Sequence, residues 1–470
     1  MKSPTSSRPA LCYCKECVKK QQKIDRLEER IASLEARLRY QERKGKEEPF
    51  GSSTPSSKQH IKASTDEEKR KKRGGAVRGH KGYGRQSFVA EEADEVVVLE
   101  GYDCCPDCGG PLVEMGERER TIIDAHPGGS KKRIVKTPEC FCANCRKKVK
   151  RRVPGVMPRS LFSNNLLSQI VCKHYVVGHP VEWIAEEYAI NSGTIFTRLH
   201  TLADLLKPVD AALIDLYRNS PVKHADETGW RTDGENGYMW GFFTDQISIF
   251  RCRNTRARSV PLEVLGEAEA MKGVLVVDRY GAYNIFEAIQ YCYSHLLRDT
   301  KDVGKNNPED EECARFVAAF APLLADAIRL RNRPIDDEEY YREAAILAEK
   351  IKDVANQSAK HPDIQRIQNI FREKESRLFH WVGNRAVPAD NNRAERELRP
   401  SVIARKISFG SQSERGQKTR EILMSVLNTL KKRYGNVAEL LTKLLDTLVE
   451  NPDLNIVNFL LPETIPVVTN

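Results

Sequence analysis

Pro221-Val-Lys-His-Ala-Asp226 is a short, partly alternating run that ends in a carboxylate, and Gly273-Val-Leu-Val-Val-Asp278 is an apolar run that ends in a second one. The latter has the pattern of a buried strand. Between them, Gly237-Tyr-Met-Trp-Gly-Phe-Phe-Thr and Ile247-Ser-Ile-Phe-Arg-Cys-Arg are separated by Asp-Gln, which suits a hairpin, and Ala257–Leu265 reads as a helix. Three strands joined by hairpins, then a crossover helix and another strand, is the order that opens a ribonuclease H-like α/β domain. It places Asp226 and Asp278 on neighbouring strands, at ends where side chains point into a cleft. A third carboxylate is then expected from a helix packed on the sheet. Asp390-Asn-Asn-Arg-Ala-Glu395-Arg-Glu-Leu-Arg-Pro400 supplies Glu395 just inside a helix start, with Asp390 or Asn391 able to cap it. With 66 acidic residues in the chain, only this context gives the trio weight.

Outward from this core, residues 218–300 form the first part of the catalytic domain and 381–410 its last part. The interval 301–380 reads as a helical insertion, because structureless loops of that length are rare. Phe316, Phe320, Leu323, Leu324, Ala327 and Ile328 recur there at helical spacing. Residues 411–460 close the chain with amphipathic helices, Gln417–Tyr434 and Val437–Val449. Upstream, 160–210 reads as a helix-turn-helix. Val181-Glu-Trp-Ile-Ala-Glu-Glu-Tyr and Thr194-Ile-Phe-Thr-Arg-Leu-His-Thr-Leu are two short helices around the turn Asn191-Ser192-Gly193, and Thr194 and Arg198 are exposed positions on the second.

Residues 96–155 carry the strongest chemical signal. Cys105-Pro-Asp-Cys108 and Cys142-Ala-Asn-Cys145 are two C-x-x-C pairs that offer four thiolates to a tetrahedral, structural Zn²⁺, as in a zinc ribbon. Cys104 and Cys140 are close enough in sequence to replace a named ligand. Residues 47–95 are rich in Ser, Gly, Pro, Lys and Arg and read as a disordered basic linker. Residues 1–46 hold Cys12, Cys14 and Cys17, then Ile24, Leu27, Ile31, Leu34 and Leu38 at the alternating 3,4 spacing of a coiled-coil seam.

The 470 residues are 40% hydrophobic and 30% charged, enough for a globular core, so the fold class is multidomain α+β. No run approaches the ~20 apolar residues of a membrane span, and the first residues lack a secretory pattern. The expected setting is therefore the cytoplasm. The net charge of +10 is clustered: Lys131 to Arg152 holds ten basic residues and one acid. A second run, Lys69 to Arg85, is punctuated by glycines. Such clustering is expected of a polyanion binder, with Lys147, Lys148, Arg151 and Arg152 as candidate phosphate contacts.

Three stretches carry a resemblance. Asn391-Asn392-x-Ala394-Glu395-Arg396-x-Leu398-Arg399-Pro400 is similar to the third catalytic motif of insertion sequence 66 family transposases, and His224-Ala225-Asp226-Glu227-Thr228 and Val277-Asp278-x-Tyr280-x-x-Tyr283 are similar to the first two. The order of parts also matches over nearly the whole chain. The sequence departs where the family commonly has a Trp and this chain reads Arg405-Lys406-Ile407-Ser408-Phe409. The resemblance implies a bacterial DDE transposase that binds the ends of an insertion sequence and catalyses DNA cleavage and strand transfer, in DNA transposition and recombination. Asp226, Asp278 and Glu395 would hold Mg²⁺ (or Mn²⁺), a hard ion that favours oxygen ligands. Arg393, Arg396, Arg399, Arg405 and Lys406 would lie near phosphates. The implied partners are double-stranded DNA, as element ends and target, a further copy of the chain in a homo-oligomer, and helper proteins of the element. The alternative is a non-catalytic zinc-ribbon and helix-turn-helix DNA-binding protein derived from such an enzyme.

Overall fold

The computed structural model describes residues 88–462 together with Lys23, Ile24, Arg26, Leu27, Arg30, Ile31 and Leu34, which are helical. The expectations for Cys12, Cys14, Cys17, most of the linker and the basic run Lys69 to Arg85 lie outside the described residues. The fold is mixed α and β with two sheets.

The first sheet holds the cysteines. Strand β1 (Glu95–Val98) runs parallel to β3 (Gly129–Cys142), β2 (Leu112–His126) runs antiparallel to β3, and β4 (Lys147–Lys150) pairs with β3's end. Two small cores support it: Ile122, Val135, Val153 and Val156 at one end, and Cys105, Cys142 and Val149 at the other.

Helix α1 (Asn164–Cys172) starts at Ser163, whose Oγ accepts the Leu166 N–H at 2.9 Å. Helix α2 (Val181–Glu187) leads through a turn to α3, which Asn191 caps. Helix α3 spans Ser192–Arg218, 27 residues, rather than the short element its sequence suggests. Pro208 lies inside it instead of ending it. The missing amide bond costs roughly 3 kcal/mol, but Leu202, Leu206, Val209, Leu213 and Tyr217 continue a fully buried stripe through the break.

Strands β5 (Val222–Thr232) and β6 (Glu235–Phe243) form a hairpin across Asp233-Gly234, both at positive φ, as a tight primed turn requires. Strand β7 (Ser248–Arg253) pairs antiparallel with β6, α4 (Ser259–Leu265) crosses over, and β8 (Val274–Val277) returns parallel to β5. These four strands lie in the order β7-β6-β5-β8. Strand β5 continues six residues past Asp226, so this carboxylate sits mid-strand rather than at a strand end. Its lateral neighbour β8 pairs only as far as His224–Val276, which leaves Asp226 open on that side.

Residues 288–391 belong to a separate compact unit. It contains β9 (Ile289–Tyr291), α5 (Tyr293–Asn306), α6 (Glu311–Leu330), α7 (Asp337–Asn356), α8 (Pro362–Glu373) and the short α9 (His380–Gly383). Phe316, Phe320, Leu324 and Ala327, from the run at helical spacing, are buried, and Phe371, Tyr293 and Trp381 complete this core.

After this unit, α10 (Asn392–Ser408) packs on β5 and β6. Helix α11 (Glu414–Tyr434) packs on β7 and α3, and α12 (Val437–Glu450) packs on α1. A buried bidentate pair, Arg251 Nη1 and Nη2 to Asp210 Oδ1 and Oδ2 at 3.1 and 3.0 Å, ties β7 to α3.

Candidate active site and zinc site

Asp226 lies on β5 two residues past His224, and Asp278 follows the end of β8 two residues past Val276, the two residues that form the last pair of the parallel ladder. Each carboxylate is half-buried and accepts a nearby main-chain amide: Glu227 N–H to Asp226 Oδ1 at 2.9 Å, and Tyr280 N–H to Asp278 Oδ1 at 2.9 Å. The third carboxylate, Glu395, lies in the first turn of α10. That helix approaches closely because Asp226 faces Gly241 across the β5–β6 ladder. A Cβ on Gly241 would stand 3.0 Å from Leu398 Cδ2 on α10 and 2.2 Å from the Phe243 ring. Burial first, then the charges of Glu227, Asp278 and Glu395, hold the Asp226 carboxyl well above the usual carboxylate range. Half-buried oxygen donors that repel one another suit a hard divalent cation, whose charge relieves the repulsion.

Glu227, next to Asp226, is fully buried and faces other partners. It pairs with Arg256 and accepts the Tyr283 hydroxyl at 3.1 Å. Burial first, and the Asp278 charge next, push its carboxyl up to about 7 against the opposing pull of Arg256. Tyr280 and Tyr283 stand in the second motif of the sequence. Arg256 and Gly241 carry no mark in a single sequence and were not among the expected site residues.

The four thiols converge. Cys105, Cys108, Cys142 and Cys145 bring their sulfurs within 4.8 Å of one another. Cys105 Sγ lies 3.9 Å from Cys145 Sγ, and Cys108 Sγ lies 3.6 Å from Cys142 Sγ. A tetrahedron with Zn–S bonds of about 2.3 Å has edges of about 3.8 Å, so the spacing fits zinc. The Asp107 and Cys108 amides hydrogen-bond Cys105 and draw its thiol down to about 7, toward the thiolate a metal requires. Gly109 turns the first pair at φ +70°, where its N–H reaches Cys105 O at 2.8 Å. Cys104 is exposed and lies outside this group, as does the buried Cys140.

Residues 159–419 match the family described as Transposase IS66 family, more than half of the chain. The chain belongs to the IS66 transposase family. It is also similar to two uncharacterized proteins of Sinorhizobium fredii. One, y4jD, is 21% identical over 388 residues, covering 72% of this chain and 73% of that protein. The other, y4hP, is 21% identical over 386 residues, covering 71% and 68%.

As an IS66 family member the protein is a transposase-related chain, and DNA binding goes with that membership. Its basic residues divide into two groups. On α10, Arg396 and Arg399 are exposed and Lys406 is exposed, whereas Arg393 pairs with Asp245. Arg405 turns inward and is not a surface phosphate ligand: it is buried and donates to Gly229 O at 2.6 Å and Thr228 Oγ1 at 3.2 Å, because the helical register puts it against β5. In the run Lys131 to Arg152, Lys131 and Arg133 meet Glu95, Lys136 meets Glu119, Lys147 meets Asp107 and Lys148 meets Glu139. Arg151 donates to Glu100 O at 3.1 Å, and Arg152 to Val449 O at 2.7 Å. The apparent +9 is thus offset in part by Glu95, Glu119 and Asp107 from outside the segment, which a count along it misses. On α3, Thr194 is half-buried and Arg198 donates to Arg159 O at 3.3 Å, while Phe196 and Thr197 are exposed. No helix among the described residues is long and apolar enough to cross a membrane.

Proposed function

We propose that this chain is a DDE transposase: an enzyme that binds the ends of an insertion sequence and catalyses Mg²⁺-dependent DNA cleavage and strand transfer on a ribonuclease H-like domain. The observation that carries this reading is the family match over residues 159–419; the places of Asp226 on β5, Asp278 just past β8 and Glu395 in the first turn of α10, a helix packed on β5, support it. The strand order β7-β6-β5-β8 with mixed directions, covered by α10, supports the same reading. Asp226, Asp278 and Glu395 would hold the divalent cations, which supply activation of an attacking oxygen and stabilisation of the leaving one. The chain's own contribution is orientation. Main-chain amides fix the two aspartates, the Gly241 gap admits α10, and Arg396 and Arg399 offer guanidinium forks to the phosphates on either side of the scissile bond.

Recognition of the element ends is assigned to α2 and α3, and the zinc-holding sheet is a platform beside them. The exposed apolar positions Ile24, Leu27, Ile31 and Leu34 support pairing with a second copy of the chain. Asp278→Ala decides the catalytic reading. On duplex DNA carrying the ends of the element, it should abolish Mg²⁺-dependent cleavage and leave binding within about twofold, since affinity comes mainly from phosphate neutralisation. Cleavage near the wild-type rate would overturn the assignment.

A further inference from the structure

A fourth carboxylate beside Asp226, Glu227, is fully buried and is held from two separate segments by one charged group and one hydroxyl. Arg256, from the stretch between β7 and α4, forms an ion pair with Glu227 Oε1. Tyr283, from the single turn Gly281–Tyr283 that follows β8, donates its hydroxyl to Glu227 Oε2 at 3.1 Å. Both carboxylate oxygens are therefore engaged. Arg256 also extends over the Tyr280 ring at 3.9 Å and the Tyr238 ring at 5.3 Å, and the Tyr280 hydroxyl returns a hydrogen bond to Arg256 O at 2.8 Å. Tyr280 and Tyr283 meet edge to face, and both lie against Trp240 on β6.

The consequence for the neighbouring aspartates follows from connectivity. Asp226 precedes Glu227 on β5, and Asp278 precedes Tyr280 and Tyr283 by two and five residues. The strand ladder between β5 and β8 stops at His224–Val276. Beyond that point no ladder bond sets the separation of the two aspartates. The Glu227–Tyr283 hydrogen bond and the Arg256 clamp do.

We infer that Glu227 is a positioning residue: with Arg256 and Tyr283 it locks the segment carrying Asp278 onto the strand carrying Asp226 and so presents the two carboxylates to a divalent cation at a fixed spacing. This deepens, and rests on, the proposed metal-dependent function. Outer groups that orient ligating carboxylates typically change metal affinity by about 10–100-fold when removed. Glu227 itself, with both oxygens occupied, serves as support rather than as a ligand.

The test is direct Mn²⁺ binding to the full chain, read by electron paramagnetic resonance of free Mn²⁺, for wild type, Asp278→Ala, Glu227→Gln and Tyr283→Phe, with denaturation midpoints for each. Tyr283→Phe deletes a single hydroxyl and keeps the ring contacts, so it decides the matter if Glu227→Gln fails to fold. The expected result is loss of the high-affinity ion in Asp278→Ala. Tyr283→Phe and Glu227→Gln should bind about tenfold more weakly at unchanged DNA affinity. If Asp278→Ala removes the ion while the folded Tyr283→Phe protein binds as wild type does, the positioning role is wrong and the metal-site reading stands. If Asp278→Ala binds Mn²⁺ as wild type does, the reading beneath falls and the inference with it.

Discussion

Cys108 Sγ and Cys142 Sγ stand 3.6 Å apart although 34 positions separate them in the chain. The long β2–β3 hairpin brings them together, and a metal bond is the economical way to keep four thiols at that spacing. Purified protein should carry one zinc per chain by metal analysis, and Cys142→Ala should lose it. Strong chelation should unfold the sheet around Val149 and Leu112, since binding free energies of about 10 kcal/mol are typical where metal and folding are coupled. Protein purified without chelator that contained no zinc would refute the assignment.

Acid should loosen the contact between α11 and the helical turn Lys173–Val177 that follows α1, through His174. Its Nδ1 lies 2.8 Å from His179 O, and Arg420 Nη2 lies 3.3 Å from its Nε2. Burial first, and the Arg420 charge next, lower its pKa from 6.5 to about 3. Below pH 6.5 the unfolded chain binds a proton that the folded chain refuses until about pH 3. Stability supplied by this site is therefore full above pH 6.5 and lost progressively as pH falls through that window, by up to about 1.4 kcal/mol per pH unit. Urea titrations at pH 7 and 4.5 should show a smaller acid-induced drop for His174→Gln than for wild type. Equal drops would remove His174 from the account.

Lys147 and Lys148 are exposed, and their partners Asp107 and Glu139 hold them only through surface pairs. Such pairs are weak enough to yield to phosphate. Replacing both lysines by Gln should flatten the plot of log binding constant against log salt by about 2 units for duplex DNA of any sequence. Arg152→Ala should leave that slope alone and lower the thermal midpoint, because Arg152 holds the Val449 carbonyl of α12. An unchanged slope in the double variant would show that the acids keep these ammonium groups.

Gly241→Ala tests how α10 is seated. The added methyl would press on Leu398 and the Phe243 ring, and overpacking of this kind costs roughly 1–3 kcal/mol. Cleavage should fall while Asp226, Asp278 and Glu395 remain in place, and DNA affinity should hold. A fully active variant would mean that α10 accommodates the methyl without moving Glu395.

The candidate trio was drawn from the sequence because a partly alternating run and an apolar run end in aspartates and a capping pattern precedes Glu395. The extent of β5 was not. Glu227-Thr228-Gly229 looks like the end of a strand, yet Thr228 and Gly229 are buried, paired with Met239 and Tyr238, and bonded by Arg405 from a helix far along the chain. Tertiary partners turn a polar stretch into a central strand. A proline ordinarily ends a helix, and Pro208 does not, since the stripe that carries α3 past it is decided by what α3 packs against. The four clustered thiols were readable as a set, and their convergence is what separates Cys105 from the exposed Cys104.

The packing of the last helices on early ones orders events in biosynthesis. Helices α1 and α3 find their apolar cover in α12 and α11, and Asn164 Nδ2 reaches Asp446 Oδ1 at 2.8 Å across 282 positions. At about 5–20 residues per second, that separation leaves α1 without its cover for roughly 14–56 s of elongation. A ribosome-bound or truncated chain that stops after α10 would contain every candidate ligand and still lack the floor beneath α1 and α3. Such a product would need a chaperone's care, whereas a reading frame completed to α12 buries its own liability.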